Sequence, residues 1–301
     1  MQTKPRILLN RMGALGDVIL TTPIVRKLFQ DRDGFCSITV RTHHPEVFRG
    51  NPYVASVLTG VDEYRPADFD VAFNLDLVYE RNPACHILEA YGFHVFGNAS
   101  FARQCELFAE PDDTLPAKQL QQQCASNYIV IHMRRTMQSS RNLPEAWWLS
   151  LIGGLLTTTA HTVVQIGMSN ELAFGGHTRL IDLRGKLSIH ALQQVIAGSL
   201  FYLGVDSAPF HVAATTDVNM AIFFTTARAE YRKPSRPRGG FQALTPAIEC
   251  YGCQEVMPLG STLVSCARGD EECVNRFDAQ RVLDIIRPQI TLPSQQSIAT
   301  P

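Results

Sequence analysis

The chain alternates short apolar runs with segments of helical periodicity, and it does so twice. In the first half, strand-like runs occur at 6–10, 37–41 and 71–75, with helix-spaced residues between them. In the second half, the alternation resumes at 128–132 and continues to 218–224. Strands that alternate with helices form parallel sheets covered on both faces. The sequence therefore predicts an α/β protein built from two such units.

The connection between the two units is predicted at 98–127. This segment has few strand signals, two prolines and three consecutive glutamines. We therefore place a first domain at 1–125, a second at 126–288 and a frayed tail at 289–301. Each domain is long enough to bury a core of its own.

The charge and hydropathy of the chain exclude several classes of protein. The net charge of −1 provides no general attraction to nucleic acid or to anionic lipid. Apolar stretches are interrupted well before 18 residues, and the N-terminus does not resemble a signal peptide. We therefore expect a cytoplasmic protein with no nucleic-acid partner, which is not an integral membrane protein.

A loop with two glycines, Gly13 and Gly16, follows the first strand, and Asp17 comes directly after it. The glycines permit a tight turn and a close backbone approach. An aspartate at the mouth of a cleft suits general-base catalysis, although aspartate at this point also caps helices well. The glycines do not match the dinucleotide fingerprint Gly-x-Gly-x-x-Gly, which disfavours an NAD-dependent enzyme.

A second polar loop, Asp206 to His211, follows a strand of the second unit. Backbone N–H groups where a helix begins bind phosphate, Ser207 adds a hydroxyl, and Asp206 suits sugar hydroxyls. His211 lies four residues after Ser207, on the same side of a helix. The alternative is a capped helix with a half-buried histidine.

Three arginines follow another strand of the second unit. Arg134 and Arg135 come directly after the run that ends at His132, and Arg141 lies a little further on. Guanidinium groups pair with phosphate oxygens in a bidentate manner. Arginines in a surface loop are otherwise simply solvated, so both interpretations remain open.

Together these segments resemble glycosyltransferase family 9, the ADP-heptose:lipopolysaccharide heptosyltransferases. The resemblance lies in Arg11-x-Gly-x-x-Gly-Asp17 followed by Thr22-Pro23, in Arg141-x-x-Pro-x-x-x-Trp148, and in Gly204-Val-Asp-Ser-Ala-Pro-x-His211-x-Ala-Ala214. It spans residues 6–290. It implies the GT-B fold, in which two Rossmann-like domains face each other across a cleft.

The resemblance also implies an inverting transfer from a nucleotide sugar, with no cofactor for the chemistry. The resemblance implies that Asp17 is the general base. It also implies that Arg141, which stands near the position of a family lysine, neutralises the leaving diphosphate. Further donor contacts are implied for Asp206, Ser207, Ala208, His211 and Glu171. ADP-heptose is the expected donor.

This sequence departs from the family in three ways. Ala208 stands where the family has glycine, Arg141 stands for the lysine, and the first domain is short. The acceptor-binding face is therefore reduced, and the acceptor is expected to be a glycan, lipopolysaccharide or a protein side chain. Two other functions remain open: a sugar-nucleotide epimerase of GT-B fold, and a catalytically inactive GT-B protein that only binds.

Four of the eight cysteines cluster near the C-terminus, at 250, 253, 266 and 273. The first two have the C-x2-C spacing of metal ligands, and two more thiolates complete a tetrahedral shell. Cys250, Cys253, Cys266 and Cys273 are therefore predicted to hold a structural zinc or iron. Related autotransporter heptosyltransferases carry a cysteine set in this region, which implies the same role. Disulfides and free thiols are the alternatives.

Overall fold

The computed structural model describes residues 3–81, 83–124, 128–133, 139–256, 266 and 268–290. Within these residues the chain forms two β-sheets, and every strand pair in both sheets is parallel. The predicted α/β class is therefore confirmed. The predicted boundary between the domains falls at 125–127, outside the described part of the chain, and it stays a proposal.

The first sheet is formed by the N-terminal part of the chain. Its strands are β1 (Arg6–Asn10), β2 (Ser37–Arg41), β3 (Ser56–Leu58) and β4 (Val71–Asn74). Their spatial order is β3-β2-β1-β4. The accompanying helices are α1 (Leu15–Ile19), α2 (Thr22–Gln30) and α3 (Ile87–Phe96).

The second sheet is larger. Its strands are β5 (Tyr128–His132), β6 (Thr162–Ile166), β7 (Leu180–Asp182), β8 (Phe201–Val205), β9 (Asn219–Phe223) and β10 (Phe241–Leu244). Their spatial order is β10-β9-β8-β5-β6-β7. The remaining helices are α4 (Leu115–Cys124), α5 (Glu145–Thr158), α6 (Ile189–Ala197), α7 (Ala208–Ala213), α8 (Glu272–Asn275) and α9 (Ala279–Ile290).

The helices pack against the sheets through apolar faces. Helix α2 buries Ile24, Val25 and Leu28 completely, as its helical spacing predicts. Burial of such a side chain contributes roughly 1.5–3 kcal/mol. In the second unit, Trp148 of α5 is 1% exposed and packs edge-on against Phe223 of β9. These contacts fix the positions of the strands, and the polar loops follow the ends of these strands.

Both sheets reverse their strand order beside their first strand. In the first sheet β1 lies between β2 and β4, and in the second sheet β5 lies between β6 and β8. In open parallel sheets, ligands bind beyond the carboxyl ends of the strands at such a reversal. The loops after β1, β5 and β8 are the predicted polar loops, so the topology brings them to the ligand-binding edges.

Three strands and two helices, α4 and α8, were not predicted from the sequence. Strands β3, β7 and β10 have at most four residues each, too few to show a periodicity. Helix α4 lies within the predicted connection and packs against α6 of the second unit. The last helix continues to Ile290, two residues into the predicted tail, because Ile290 is buried.

Candidate functional site

Asp17 lies in the first turn of α1, with its carboxylate held at two points. Its Oδ2 pairs with Arg11 Nη2 at 2.7 Å and accepts a longer bond, 3.4 Å, from the Ala14 backbone N–H. The side chain is 18% exposed and lines a cleft between the two sheets. Asp17 therefore takes part in capping the helix and also faces the cleft, so the two interpretations of the sequence are compatible.

Arg11 is the buried partner of this carboxylate. Its Nη1 donates to the Leu75 carbonyl at 3.0 Å, and its Nη2 also lies 3.3 Å from Glu80. Burial acts to lower the pKa of Arg11, but neighbouring groups, including Asp17 and Glu80, outweigh burial and raise it. Burial raises the pKa of Glu80. The guanidinium is thus a fixed positive charge that orients Asp17.

Gly16 brings the first unit into contact with the second. A Cβ atom on Gly16 would lie 2.6 Å from Cδ2 of His211 in α7, a distance that real Cβ atoms do not show. A Cβ atom on Gly13 would meet nothing within 4 Å. The close approach predicted for the two glycines is therefore required only at Gly16.

The loop after β8 lines the same cleft as Asp17. Asp206, Ser207, Ala208 and His211 all line it, as the sequence predicts. Burial lowers the pKa of His211, although Asp206 and Asp17 act to raise it. Ser207 occupies the N-cap position of α7, yet its hydroxyl makes no capping bond. The capped-helix interpretation of Ser207 is therefore wrong.

Instead, Ser207 belongs to a buried polar chain that crosses three strand ends. Its Oγ lies 3.0 Å from Nδ1 of His132, the last residue of β5. The other ring nitrogen, Nε2, lies 3.3 Å from Oε2 of Glu171. Gly167, which directly follows β6, has a φ of +137°, and a side chain there would collide with Glu171. The geometry thus places Glu171 at the cleft, where the resemblance puts it.

Arg141 lines the same cleft, and its contacts are with neutral groups. Its Nε donates to Thr226 Oγ1 at 3.0 Å, and its Nη2 donates to Gln254 Oε1. Among the described residues, no carboxylate forms an ion pair with it. Its charge therefore remains to attract an anion. The predicted Arg134 and Arg135 lie outside the described residues.

The sequence did not single out Arg232, a buried arginine of the second unit that lines the cleft. Its Nη1 pairs with Glu255 Oε1 at 3.0 Å, and both side chains are at most 6% exposed. Its guanidinium carbon lies 5.3 Å from the ring centre of Tyr79, a residue of the first unit. The residue stands in a basic, Pro/Gly-rich loop, where nothing in the sequence distinguishes it from its solvated neighbours.

The cleft itself encloses about 810 Å³, a volume typical of small-molecule sites. Its lining includes Asp17 from the first unit and the Asp206–His211 loop from the second. Two Rossmann-like sheets that face each other across such a site define the GT-B class of glycosyltransferases.

The comparisons with known proteins agree with this class. The model of "Glycosyltransferase family 9 (heptosyltransferase)" matches residues 96–255, more than half of the chain. The chain therefore belongs to glycosyltransferase family 9 and is a glycosyltransferase of heptosyltransferase type. A comparison with curated protein sequences finds no match.

Solved structures share the fold at low sequence identity. A family 9 glycosyltransferase of Veillonella parvula is 13% identical with a TM-score of 0.73, and the match covers 96% of this chain and 98% of that one. The iron-containing dodecameric glycosyltransferase TibC of enterotoxigenic E. coli is 16% identical with a TM-score of 0.71, covering 96% and 77%. E. coli heptosyltransferase WaaC with ADP is 13% identical with a TM-score of 0.60, covering 94% and 99%.

The four C-terminal cysteines lie near one another but do not form a metal shell. Burial, with the charges of the other three thiols, raises the pKa of Cys273 to about 11, and burial and neighbouring thiols raise that of Cys253. Burial also acts to raise the pKa of Cys266, but hydrogen bonds from the backbone of residues 268–271 lower it. All four are free thiols. No three His, Cys, Asp or Glu side chains in the described part of the chain could hold a metal ion.

None of the described helices is both long and apolar enough to cross a membrane.

Proposed function

We propose that this enzyme transfers heptose from ADP-heptose to an acceptor hydroxyl, with inversion at the anomeric carbon. One observation carries the proposal: Asp17 of the first unit and the Asp206–His211 loop of the second line the same cleft. A single displacement requires a base and a donor-binding loop that reach one common site.

Asp17 is suited to the role of general base. Its contacts with Arg11 and Ala14 are both made through Oδ2, and the structure describes none through Oδ1. Oδ1 is therefore the atom that would accept the proton of the acceptor hydroxyl as that oxygen attacks the anomeric carbon. Arg11 fixes the orientation of the carboxylate.

The leaving ADP carries growing negative charge, and Arg141 is the proposed cation beside it. Among the described residues, its hydrogen-bond partners are the neutral side chains of Thr226 and Gln254, so its charge is available to the diphosphate. Arg134 and Arg135 are proposed as further donor contacts. Asp206 and Glu171, as carboxylates in the same cleft, are proposed to accept hydroxyls of the donor.

The choice of ADP-heptose rests on relatives and on the cleft lining. TibC has been solved in complex with ADP-D-β-D-heptose, and WaaC with ADP. In this chain, Met168, Leu183 and Leu187 give the cleft beside Glu171 an apolar lining that suits a nucleobase. A glycan, lipopolysaccharide or a protein side chain is the proposed acceptor. The free thiols suit the reducing cytoplasm, which is the proposed location.

Two measurements test this function. In a thermal-shift series with ADP, UDP and GDP, a ligand at 100 times its Kd adds about 2.7 kcal/mol of stability. We expect ADP and ADP-heptose to stabilise the enzyme selectively. In a turnover assay, Asp17→Asn should lower kcat by about 10²- to 10⁴-fold while ADP-heptose still binds.

Asp76→Asn is the matched control, because Asp76 lies 3.8 Å from Arg11 and is absent from the cleft lining. It should leave kcat within a few fold of wild type. Donor turnover without any acceptor would instead identify an epimerase. Donor binding without turnover, unaffected by Asp17→Asn, would identify a protein that only binds.

We further propose that Cys250, Cys253, Cys266 and Cys273 hold a structural zinc or iron after a small rearrangement. Burial and the charges of neighbouring thiols raise the pKa values of Cys253 and Cys273, and backbone hydrogen bonds outweigh burial and lower that of Cys266, which supports the proposal. TibC is described as iron-containing. The present arrangement does not itself close a shell. Metal analysis of the purified protein tests the proposal: less than 0.1 equivalent of zinc plus iron, on the order of background, would refute it.

A further inference from the structure

Among the described residues, the hydroxyl of Ser207 has two hydrogen-bond partners, and it has one hydrogen. Its Oγ lies 3.0 Å from Nδ1 of His132 and 3.0 Å from the backbone carbonyl of Val205. Ser207 is 9% exposed and His132 is 2% exposed, so water does not compete freely for these bonds. The direction of each bond follows from the protons that the chain Glu171–His132–Ser207 contains.

Consider first an ionised Glu171 beside a neutral imidazole. The carboxylate, 3.3 Å from Nε2 of His132, requires a proton on that nitrogen. Nδ1 is then an acceptor, and the hydrogen of Ser207 points to it. With one more proton on the Glu171–His132 pair, Nδ1 becomes a donor to Ser207, and the serine hydrogen turns to the Val205 carbonyl. In both cases the hydrogen is used inside the protein.

We propose that Ser207 presents a lone pair to the cleft and binds a hydroxyl of the transferred sugar, so that it does not serve the diphosphate. This inference rests on the proposed function and makes it more specific. A phosphate oxygen has no hydrogen to donate, whereas a sugar hydroxyl does. Ser207 therefore distinguishes a nucleotide sugar from the corresponding nucleoside diphosphate.

His132 acts through Ser207 as a positioning residue. Its two ring nitrogens connect Ser207 after β8 with Glu171 after β6, so one imidazole sets the orientation of side chains from both neighbouring strand ends. Loss of the Nδ1 contact would free the serine hydroxyl to rotate. Loss of the Nε2 contact would leave Glu171 without its buried partner.

The experiment compares the Kd of ADP with the Kd of ADP-heptose by calorimetry. Ser207→Ala should weaken ADP-heptose about tenfold and change ADP by less than about twofold. Ser199→Ala is the matched control, because Ser199 also bonds backbone carbonyls, at the opposite end of β8. It should change neither Kd. An equal loss for both ligands would place Ser207 on the diphosphate and overturn the inference, and so would no loss for either.

Two variants of His132 separate its contacts. The amide of His132→Asn reaches the position of Nδ1 and keeps a partner for Ser207, whereas His132→Gln reaches the position of Nε2 and keeps a partner for Glu171. We expect His132→Gln to lose ADP-heptose affinity as Ser207→Ala does, with no further loss when the two are combined. We expect His132→Asn to retain it. Equal effects of Asn and Gln would refute the positioning role.

Failure of the proposed function gives a different result. If the wild-type protein binds neither ADP nor ADP-heptose, both the proposed function and this inference are refuted. If it binds and transfers heptose but Ser207→Ala affects ADP equally, only the inference falls.

Discussion

The backbone of Gly16 lies directly against the imidazole of His211, although the two residues belong to helices of different units, α1 and α7. This contact joins the two units beside Asp17, the residue that follows Gly16. We expect Gly16→Ala to push α1 away from α7, because a methyl group has no room there. Overpacking of this kind costs roughly 1–3 kcal/mol. Activity should fall at least tenfold, as assayed by heptose transfer.

Gly153→Ala is the control for this variant. Gly153 lies inside α5, where a Cβ atom would meet nothing within 4 Å. Alanine there should add up to about 1 kcal/mol of stability through helix propensity and leave transfer unchanged. Unchanged activity of Gly16→Ala would show that the close contact is not needed for catalysis.

Arg141 should affect activity more than stability. Because its contacts with described residues are all to neutral side chains, Arg141→Gln should lower kcat/KM about 10- to 100-fold through the lost charge, while the free energy of unfolding changes by less than about 1 kcal/mol. Arg141→Lys, which keeps the charge, should recover part of the activity. The measurement is steady-state kinetics beside urea unfolding.

Arg228→Gln is the matched control, since Arg228 is 40% exposed and pairs with Glu230. It should change neither quantity measurably. A loss in Arg228→Gln as large as that in Arg141→Gln would point to a general effect of charge.

For the buried pair of Arg232 and Glu255, we expect substitutions to change mainly the free energy of unfolding. Removal of the guanidinium in Arg232→Met leaves a buried carboxylate without its partner, which costs about 3–5 kcal/mol. The double variant Arg232→Met/Glu255→Leu should recover most of this loss, because it removes both charges. Urea unfolding of the three proteins measures it. A double variant as unstable as Arg232→Met would contradict the explanation.

His86 should make the stability depend on pH. Its Nδ1 accepts from the Leu88 N–H and caps α3, and its Nε2 donates to the Lys233 carbonyl of the second unit. Burial, opposed by the bond to Lys233, lowers the pKa of His86. The unfolded chain therefore takes up the proton first as the pH falls. The contribution to stability is complete above about pH 6.5 and is lost as the pH falls below that value, by at most about 1.4 kcal/mol per pH unit.

His86→Asn keeps an N-cap residue and removes the titrating group. Between pH 7.5 and pH 5.5 its free energy of unfolding should fall less steeply than that of wild type. The same substitution at the exposed His94 serves as control and should leave the wild-type slope unchanged. Parallel curves for wild type and His86→Asn would show that another group causes any pH dependence.

The sequence by itself determined the α/β class, the strands that carry the polar loops, and the loops themselves. It did so because each of these features is local: a buried strand is a short apolar run, and a loop that follows it starts with polar residues and glycine. The position of Asp17 after β1 and of Asp206 after β8 follows from the order of residues alone.

Only the tertiary structure decided which side chains meet. The pair of Arg232 and Glu255, the contact of Arg232 with Tyr79, and the chain from Glu171 through His132 to Ser207 join residues far apart in the sequence. Such contacts depend on the strand order in each sheet and on how the two sheets face each other, and no periodicity in a single segment records either. The sequence supplied the chemical groups, and the packing of the two units determined their partners.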